Sequence, residues 1–267
     1  MKKSTGFSPR MNMLQFRVLA SRYLKQVCTN PWTIIPLILE GPFLLIITSF
    51  IYEDGAFVRP WEHFTAANTT LFLLVMGSTL MGLLNSYREI CKEREILARE
   101  VFGGLDVTAY VMSKVVILAL VALVQSVILV GGSMIFIDFN MTEPAFSVFF
   151  FFVAVFLTNC AGSAMGLLVS AMLKKSESAI LPVLVIIIMQ VVFAGSVLEF
   201  DFPVKALYFV TPTMYGTSVL GSVMNLDGLR SIYDYNIYAS CALLIVIIAF
   251  CYLMTTLKLK RDYRTKD

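Results

Sequence analysis

Six stretches of mainly apolar residues, each near or above the roughly 20 needed to cross about 30 Å of hydrocarbon as a helix, decide what this chain can fold into. They run from Trp32 to Ile51, Ala66 to Tyr87, Ala109 to Ile137, Ala145 to Ala171, Ala179 to Leu198 and Ile237 to Leu257. Of the 267 residues, 58% are hydrophobic and only 15% are charged, too little polar side chain to coat a soluble globule of this size. Long alternating segments separated by turns are missing, which argues against a barrel. The expectation is an all-α polytopic membrane protein, a single domain over residues 1–267 with six transmembrane helices.

Basic residues orient the bundle. Lys2, Lys3, Arg10, Arg17, Arg22 and Lys25 precede the first span, and Lys258, Lys260, Arg261, Arg264 and Lys266 follow the last. With an even number of spans both ends share one side. Adding Arg88, Lys92, Arg94, Arg99, Lys114, Lys174 and Lys175 places 18 of the 21 basic residues there, against Arg59, Lys205 and Arg230 opposite. The positive-inside rule makes both termini cytoplasmic, in a multi-pass protein of the inner (plasma) membrane. The net charge of +3 follows from that topology and calls for no nucleic-acid partner. Cys28 and Cys91 fall at the cytoplasmic face and Cys160, Cys241 and Cys251 within spans, so no external disulfide is expected. The basic start lacks an apolar core followed by a small-residue cleavage site, so the first span is expected to serve as its own insertion signal.

Three segments outside the spans carry organisation. Residues 11–27 read as a helix lying on the membrane surface, with Leu14, Val18, Leu19 and Val27 alternating with Arg17, Arg22 and Lys25 until Pro31 stops it. Residues 199–224, interrupted by Pro212 and Gly216, are too broken to span yet too apolar for a solvated loop. They read as a re-entrant or interfacial hairpin before the sixth span, buried in protein or lining a cavity. Between spans two and three lies a charge island that begins at Arg88 and includes Glu89, Lys92, Glu93, Arg94, Glu95, Arg99 and Glu100. Each such charge would cost about 2.5–3.5 kcal/mol at the bilayer centre, so the island must protrude into water. Ile90, Leu97 and Val101 fall at helical spacing and Gly103 and Gly104 offer a stop. From charge alone the island is either a solvated loop with local ion pairs, such as Glu89 with Lys92 and Arg94, or a docking helix.

The string Lys92-Glu93-Arg94-Glu95-Ile96-Leu97-Ala98-Arg99-Glu100, followed by Gly104, Ala109-Tyr110 and Lys114, resembles the cytoplasmic connection of ABC transporter permeases of the type-2 exporter family, particularly subfamily G. Phe193-Ala194-Gly195, the segment Tyr208 to Gly216, and the stretch from Gln15-Phe16-Arg17 through Asn30-Pro31 resemble other parts of the same permeases, so the likeness covers nearly the whole chain. The resemblance implies that residues 89–102 form a coupling helix contacting an ABC ATP-binding subunit through Glu93, Arg94, Arg99 and Glu100. It also implies two permease copies, identical or paired with a similar partner. Eukaryotic subfamily G members carry cysteines in the last outer loop and an ATPase domain ahead of the permease; here that loop has no cysteine and about 30 residues precede the first span. These departures point to a bacterial relative. Since nothing matches G-x-x-x-x-G-K-[ST], no cofactor is expected on this chain, and ATP and Mg are expected on the partner subunit.

The family places spans two and five along the dimer axis. Leu74, Ser78 and Met81 share one face of the second, and Leu184, Ile188 and Val191 one face of the fifth. Each trio is either a substrate wall or ordinary packing. Gln190 beside the latter is a rare mid-span polar group that needs a hydrogen-bond partner. A wall of Leu, Ile, Val and Met suits a small amphipathic or apolar substrate such as a lipid, a drug-like molecule or a hydrophobic peptide. Glu40 is the intramembrane carboxylate of the first span; bracketed by Pro36, Gly41 and Pro42, it either satisfies an irregular helix or couples to protons. Gly162, Gly166 and Ser170 recur every four residues in the fourth span, as close helix packing requires. One histidine, His63, and no H-E-x-x-H, G-x-S-x-G or intramembrane carboxylate cluster leave no catalytic residues and no metal site in prospect. The competing reading is a channel or passive scaffold with no ATPase partner.

Overall fold

The computed structural model describes residues 12–139, 141, 143–175, 177–196, 198 and 210–264, and among these the chain is helical with no strand. The side chain of Asn12 accepts from the N–H groups of Leu14 and Gln15 and so starts α1 (Met13–Thr29). Asn30 ends α1 and its side chain caps the next helix through Trp32 N–H, while Pro31 supplies a first helical residue that needs no donor. That helix, α2 (Pro31–Ile51), continues through Pro36 and Pro42, where an irregular helix was expected. Then come α3 (Phe64–Ser86), a 3₁₀ turn over Cys91–Glu93, α4 (Arg94–Phe102), α5 (Val107–Phe136) and α6 (Pro144–Met172). A 3₁₀ turn over Glu177–Ala179 leads into α7 (Ile180–Val192), followed by α8 (Pro212–Val223) and α9 (Ile237–Arg264).

Five of these helices, α2, α3, α5, α6 and α9, are long and apolar enough to cross a bilayer. The fifth predicted span differs from expectation. Its helix stops at Val192 after 13 residues, about 20 Å of rise. The chain turns at Gly195, whose φ of +72 favours glycine. The break is satisfied internally: Thr211 donates its hydroxyl to the carbonyl of Phe193 at 3.0 Å. Gln190 accepts from the Thr213 hydroxyl at 2.6 Å and from its N–H at 3.2 Å, so it caps the start of α8. Apolar backbone can break inside a membrane bundle only when its polar groups find such partners. α8, the described part of the expected re-entrant segment, is almost wholly buried, and residues 199–209 lie outside the described residues.

The bundle is built around α6, and its closest crossing is with α3. A Cβ at Gly82 would stand 2.0 Å from the Asn159 carbonyl oxygen, one at Gly162 2.1 Å from that of Thr79, and one at Gly166 2.0 Å from Ser86 Oγ. The recurring small residues therefore set how near the two backbones come. Two apolar cores flank this crossing. One, around Leu71, Phe151, Val219 and Tyr233, holds α3, α6 and α8 together; the other, around Ile90, Leu97, Tyr110, Leu167 and Leu259, lies at the end where the charge island sits. Gly162→Val should lower the detergent-extracted monodisperse yield and the melting temperature of the purified protein, since overpacking costs about 1–3 kcal/mol or more. Gly131→Ala, whose added carbon meets nothing within 4 Å, should change neither.

Candidate functional site

The charge island is fastened to four helices. Its first turn rests on the end of α6, where Ser170 Oγ accepts from the N–H groups of Ile90 at 2.9 Å and Cys91 at 3.0 Å. The Arg94 guanidinium closes over the same end, donating to the carbonyls of Ala171 at 3.1 Å and Leu173 at 2.6 Å. A cation on carbonyls left free at a helix C-terminus is doubly placed, by hydrogen bonding and by the helix dipole. Arg94 also pairs with Asp262 of α9, which Lys258 holds at 2.7 Å. On α1, Arg22 pairs with Glu100 at 2.6 Å. Gln15 donates to the Gly104 carbonyl at 3.2 Å and accepts from Asp106 N–H at 2.8 Å. Leu97 and Ile90 are buried beneath, and Gly104 at φ +95 turns the chain into α5, which Asp106 caps through Thr108 N–H.

At the centre lies the ammonium of Lys114 from α5, only 2% exposed. It pairs with Glu93 at 2.9 Å and Glu89 at 3.2 Å, and sits 3.7 Å from the ring centroid of Tyr23 on α1. Lys92 pairs with Glu89 from the rim, and Tyr110 donates its hydroxyl to Glu93 at 3.0 Å. Burial first, then the neighbouring Glu89 carboxylate, pushes the Tyr23 phenol well above its ordinary range, so it keeps its proton and hydrogen-bonds Glu89. The cluster thus joins α1, the island and α5 through charges withdrawn from water.

These contacts sort the four residues predicted for coupling. Glu93, Arg94 and Glu100 are turned inward or sideways, into pairs within the chain; Arg99 is exposed. Arg99 shares its face of α4 with Glu95 and Phe102, at positions i, i+4 and i+7, opposite the buried Leu97. Phe102 is 92% exposed at the end of a charged helix. The sequence carried that signal, since an aromatic closing a polar helix stands apart from the Ile90, Leu97 and Val101 stripe. Ser170 and Asp262 carried none, because what they hold lies about 80 and 170 residues away.

Deeper in the bundle a polar node joins four helices. Gln125 of α5 donates to the Glu40 carboxylate at 2.9 Å and to the Leu37 carbonyl at 3.0 Å, and accepts from Asn85 of α3 at 3.2 Å and Asn159 of α6 at 3.0 Å. Glu40 therefore answers a side-chain amide across the helix pair rather than loose backbone of α2. The predicted substrate-wall residues do not come together on one surface. Leu74, Ser78 and Met81 are buried, with Ser78 donating to the Val155 carbonyl at 2.7 Å, so this trio faces α6. On α7, Leu184 and Ile188 are exposed, Val191 is half-buried and Gln190 is buried against Thr213. The outer side of α3 is instead the stripe Thr69, Phe72, Leu80 and Leu84.

The ABC-2 type transporter family matches residues 14–225, which takes in α1 through α8 and the island between α3 and α5. An ABC transporter ATP-binding/permease protein of Mycobacterium tuberculosis is 30% identical over 225 residues, covering 79% of this chain. The chain spans 25% of that relative's length, and the relative's name joins an ATP-binding part to a permease part.

Removing Lys114 tests the buried cluster. Lys114→Met leaves Glu93 without its cation and Glu89 with only Lys92 at the rim, which should cost about 3–5 kcal/mol and lower the melting temperature in detergent sharply. Adding Glu89→Gln and Glu93→Gln to the same chain should recover most of that loss.

Proposed function

The chain belongs to the ABC-2 type transporter family, and from that premise we propose that it is the transmembrane subunit of an ATP-driven exporter for an apolar or amphipathic substrate, driven by an ATP-binding subunit seated on α4. ATP and Mg would be held by that subunit. The observation that carries the reading is the division of α4: its inner side is fixed to α1, α5, α6 and α9, while Glu95, Arg99 and Phe102 face outward with Ile96 beside them. An exposed aromatic ringed by charges of both signs is what a polar-rimmed protein interface uses as its anchor. A helix gripped on one side and free on the other passes displacement of its partner to the spans as rigid-body motion.

In this reading the chain works as a pair, identical or with a similar permease. Both termini are cytoplasmic, α1 lies along the inner surface, and α7 with the irregular stretch beyond it makes the fifth of six crossings. The substrate would move between the two copies past the exposed side of α7 at Leu184 and Ile188 and the outer stripe of α3, a wall of aliphatic and aromatic groups that fits lipids or amphipathic molecules better than sugars or ions.

Arg99→Glu combined with Phe102→Ala should abolish copurification with the ATP-binding subunit and substrate-stimulated ATPase activity, with the melting temperature of the isolated permease unchanged. Full retention of both would remove α4 as the docking helix. Orientation is read separately: Cys28 is exposed at the end of α1, so a membrane-impermeant maleimide should modify it in inside-out vesicles and leave it untouched in intact cells.

A further inference from the structure

α1 shows its surroundings four different sides. Tyr23 and Leu19 are buried against the bundle, and Ala20 and Val27 meet Leu37 and Val121, which lie deeper along α2 and α5. Gln15 and Arg22 reach the charge island. The fourth side, facing away from the bundle, carries Arg17, Ser21 and Lys25, four residues apart and so in line. These three line a shallow open groove together with Val18 and Arg22, and Leu14 and Val18 stand exposed beside it. Among the described residues no carboxylate lies within ion-pair distance of Arg17 or Lys25, whereas Arg22 is taken by Glu100.

We propose that this strip binds the phosphate of an anionic phospholipid headgroup. Two cations with no carboxylate partner among the described residues flank a hydroxyl, which matches a phosphate diester, and the exposed Leu14 and Val18 match the acyl region that such a lipid brings with it. An acidic patch on a protein partner is the less fitting occupant, because the side of α1 that turns toward the proposed motor is already closed by Arg22 with Glu100 and by Gln15 with Gly104. The proposal rests on the reading that α1 lies at the inner surface of the membrane. There it would register the bundle, through α1 and its tie to Glu100, against the charge of that leaflet.

The test uses the purified full-length chain in maltoside micelles, titrated with dioleoylphosphatidylglycerol, with dioleoylphosphatidylcholine and with glycerol phosphate, bound lipid being counted by native mass spectrometry. Micelles have no sidedness, so the outcome does not depend on the orientation that Cys28 labelling reads. Phosphatidylglycerol should be retained preferentially, and Arg17→Gln and Lys25→Gln should each weaken it about fivefold, about 30-fold together. Charge-for-amide changes at exposed sites leave the fold intact, which an unchanged melting temperature verifies. The proposal is overturned if the wild-type chain shows no preference, if the double variant keeps it, or if glycerol phosphate displaces the lipid at equal concentration. It is also overturned if the double variant keeps its lipid but loses the ATP-binding subunit, since the strip would then dock protein.

Discussion

A single ammonium group, that of Lys114, lies out of water between two carboxylates and over an aromatic ring, and the arrangement of the whole end of the bundle that carries the charge island follows from it. Withdrawing an ion from water carries a penalty of several kcal/mol, which only close geometry with an opposite charge offsets. Lys114 therefore accepts one arrangement: Glu89 and Glu93 must come in from the island, and Tyr23 must come in from α1. The pairing adds little net stability compared with an apolar substitute, yet it leaves no alternative register for three elements that would otherwise be joined by flexible surface side chains. Glu93 is fixed a second time by Tyr110, one turn before Lys114 on α5. The island is consequently part of the bundle, although its composition alone would allow a solvated loop.

The same constraint operates deeper in the bundle, where the solvent is lipid and no water can complete an unfinished hydrogen bond. Gln125 uses both ends of its amide to serve Glu40 and Leu37 on α2, Asn85 on α3 and Asn159 on α6. Gln190 and Thr213 close the break between α7 and α8. In each case a polar side chain in an apolar segment points to another such side chain, and the pairs together fix which helices are neighbours. Between these polar contacts, Gly82, Gly162 and Gly166 let α3 and α6 approach until backbone meets backbone.

Much of this was legible in the sequence, and what was not has a common cause. Hydropathy and small-residue spacing are local signals, and they marked a helix before the first span, the bounds of four of the long apolar helices closely, the α6 glycine stripe and the island with its Gly103–Gly104 stop. The sixth of the predicted segments from the start of α9 onward likewise runs as one helix, extending past Leu257 to Arg264 because Lys258, Asp262 and Tyr263 are engaged with each other or with Arg94. The break after Val192 was masked because Phe193, Ala194 and Val197 keep the hydropathy high, while the residue that permits the turn is one glycine, Gly195. Which side of a helix faces its neighbours was the least legible property: the Leu74, Ser78 and Met81 face and the Leu184 and Ile188 face are equally apolar, but one is packed on α6 and the other is open. Hydrophobicity cannot separate them, because in lipid a core residue and a surface residue are chemically alike. Glu93, Arg94 and Glu100 show the converse. Their charges marked a helical island outside the apolar segments, yet charge does not say whether a residue faces outward or inward to hold the helix in place.

That division of α4 into a holding side and a free side bears on how force would travel in the proposed transporter. The island meets α6 at Ser170, Ala171 and Leu173, α9 at Asp262, α5 at Lys114 and α1 at Glu100. A push on Glu95, Arg99 and Phe102 is then delivered to several helices at once, and a packed bundle responds by moving as a body instead of bending one element. α7 stands apart from these fastenings: it starts at the short turn Glu177–Ala179, and its firmest polar tie is Gln190 to Thr213 at its far end. Motion of the α6 end relative to α7 would thus shear along the Val169, Val183 and Leu83 contact, an apolar surface beside which Gln190 of α7 makes a weak, long contact to the Met165 sulfur of α6 at 3.7 Å. The ties are strongest where the push would arrive and weakest beside the exposed face of α7, which is the order a bundle needs if it is to open along that face while its lever stays whole.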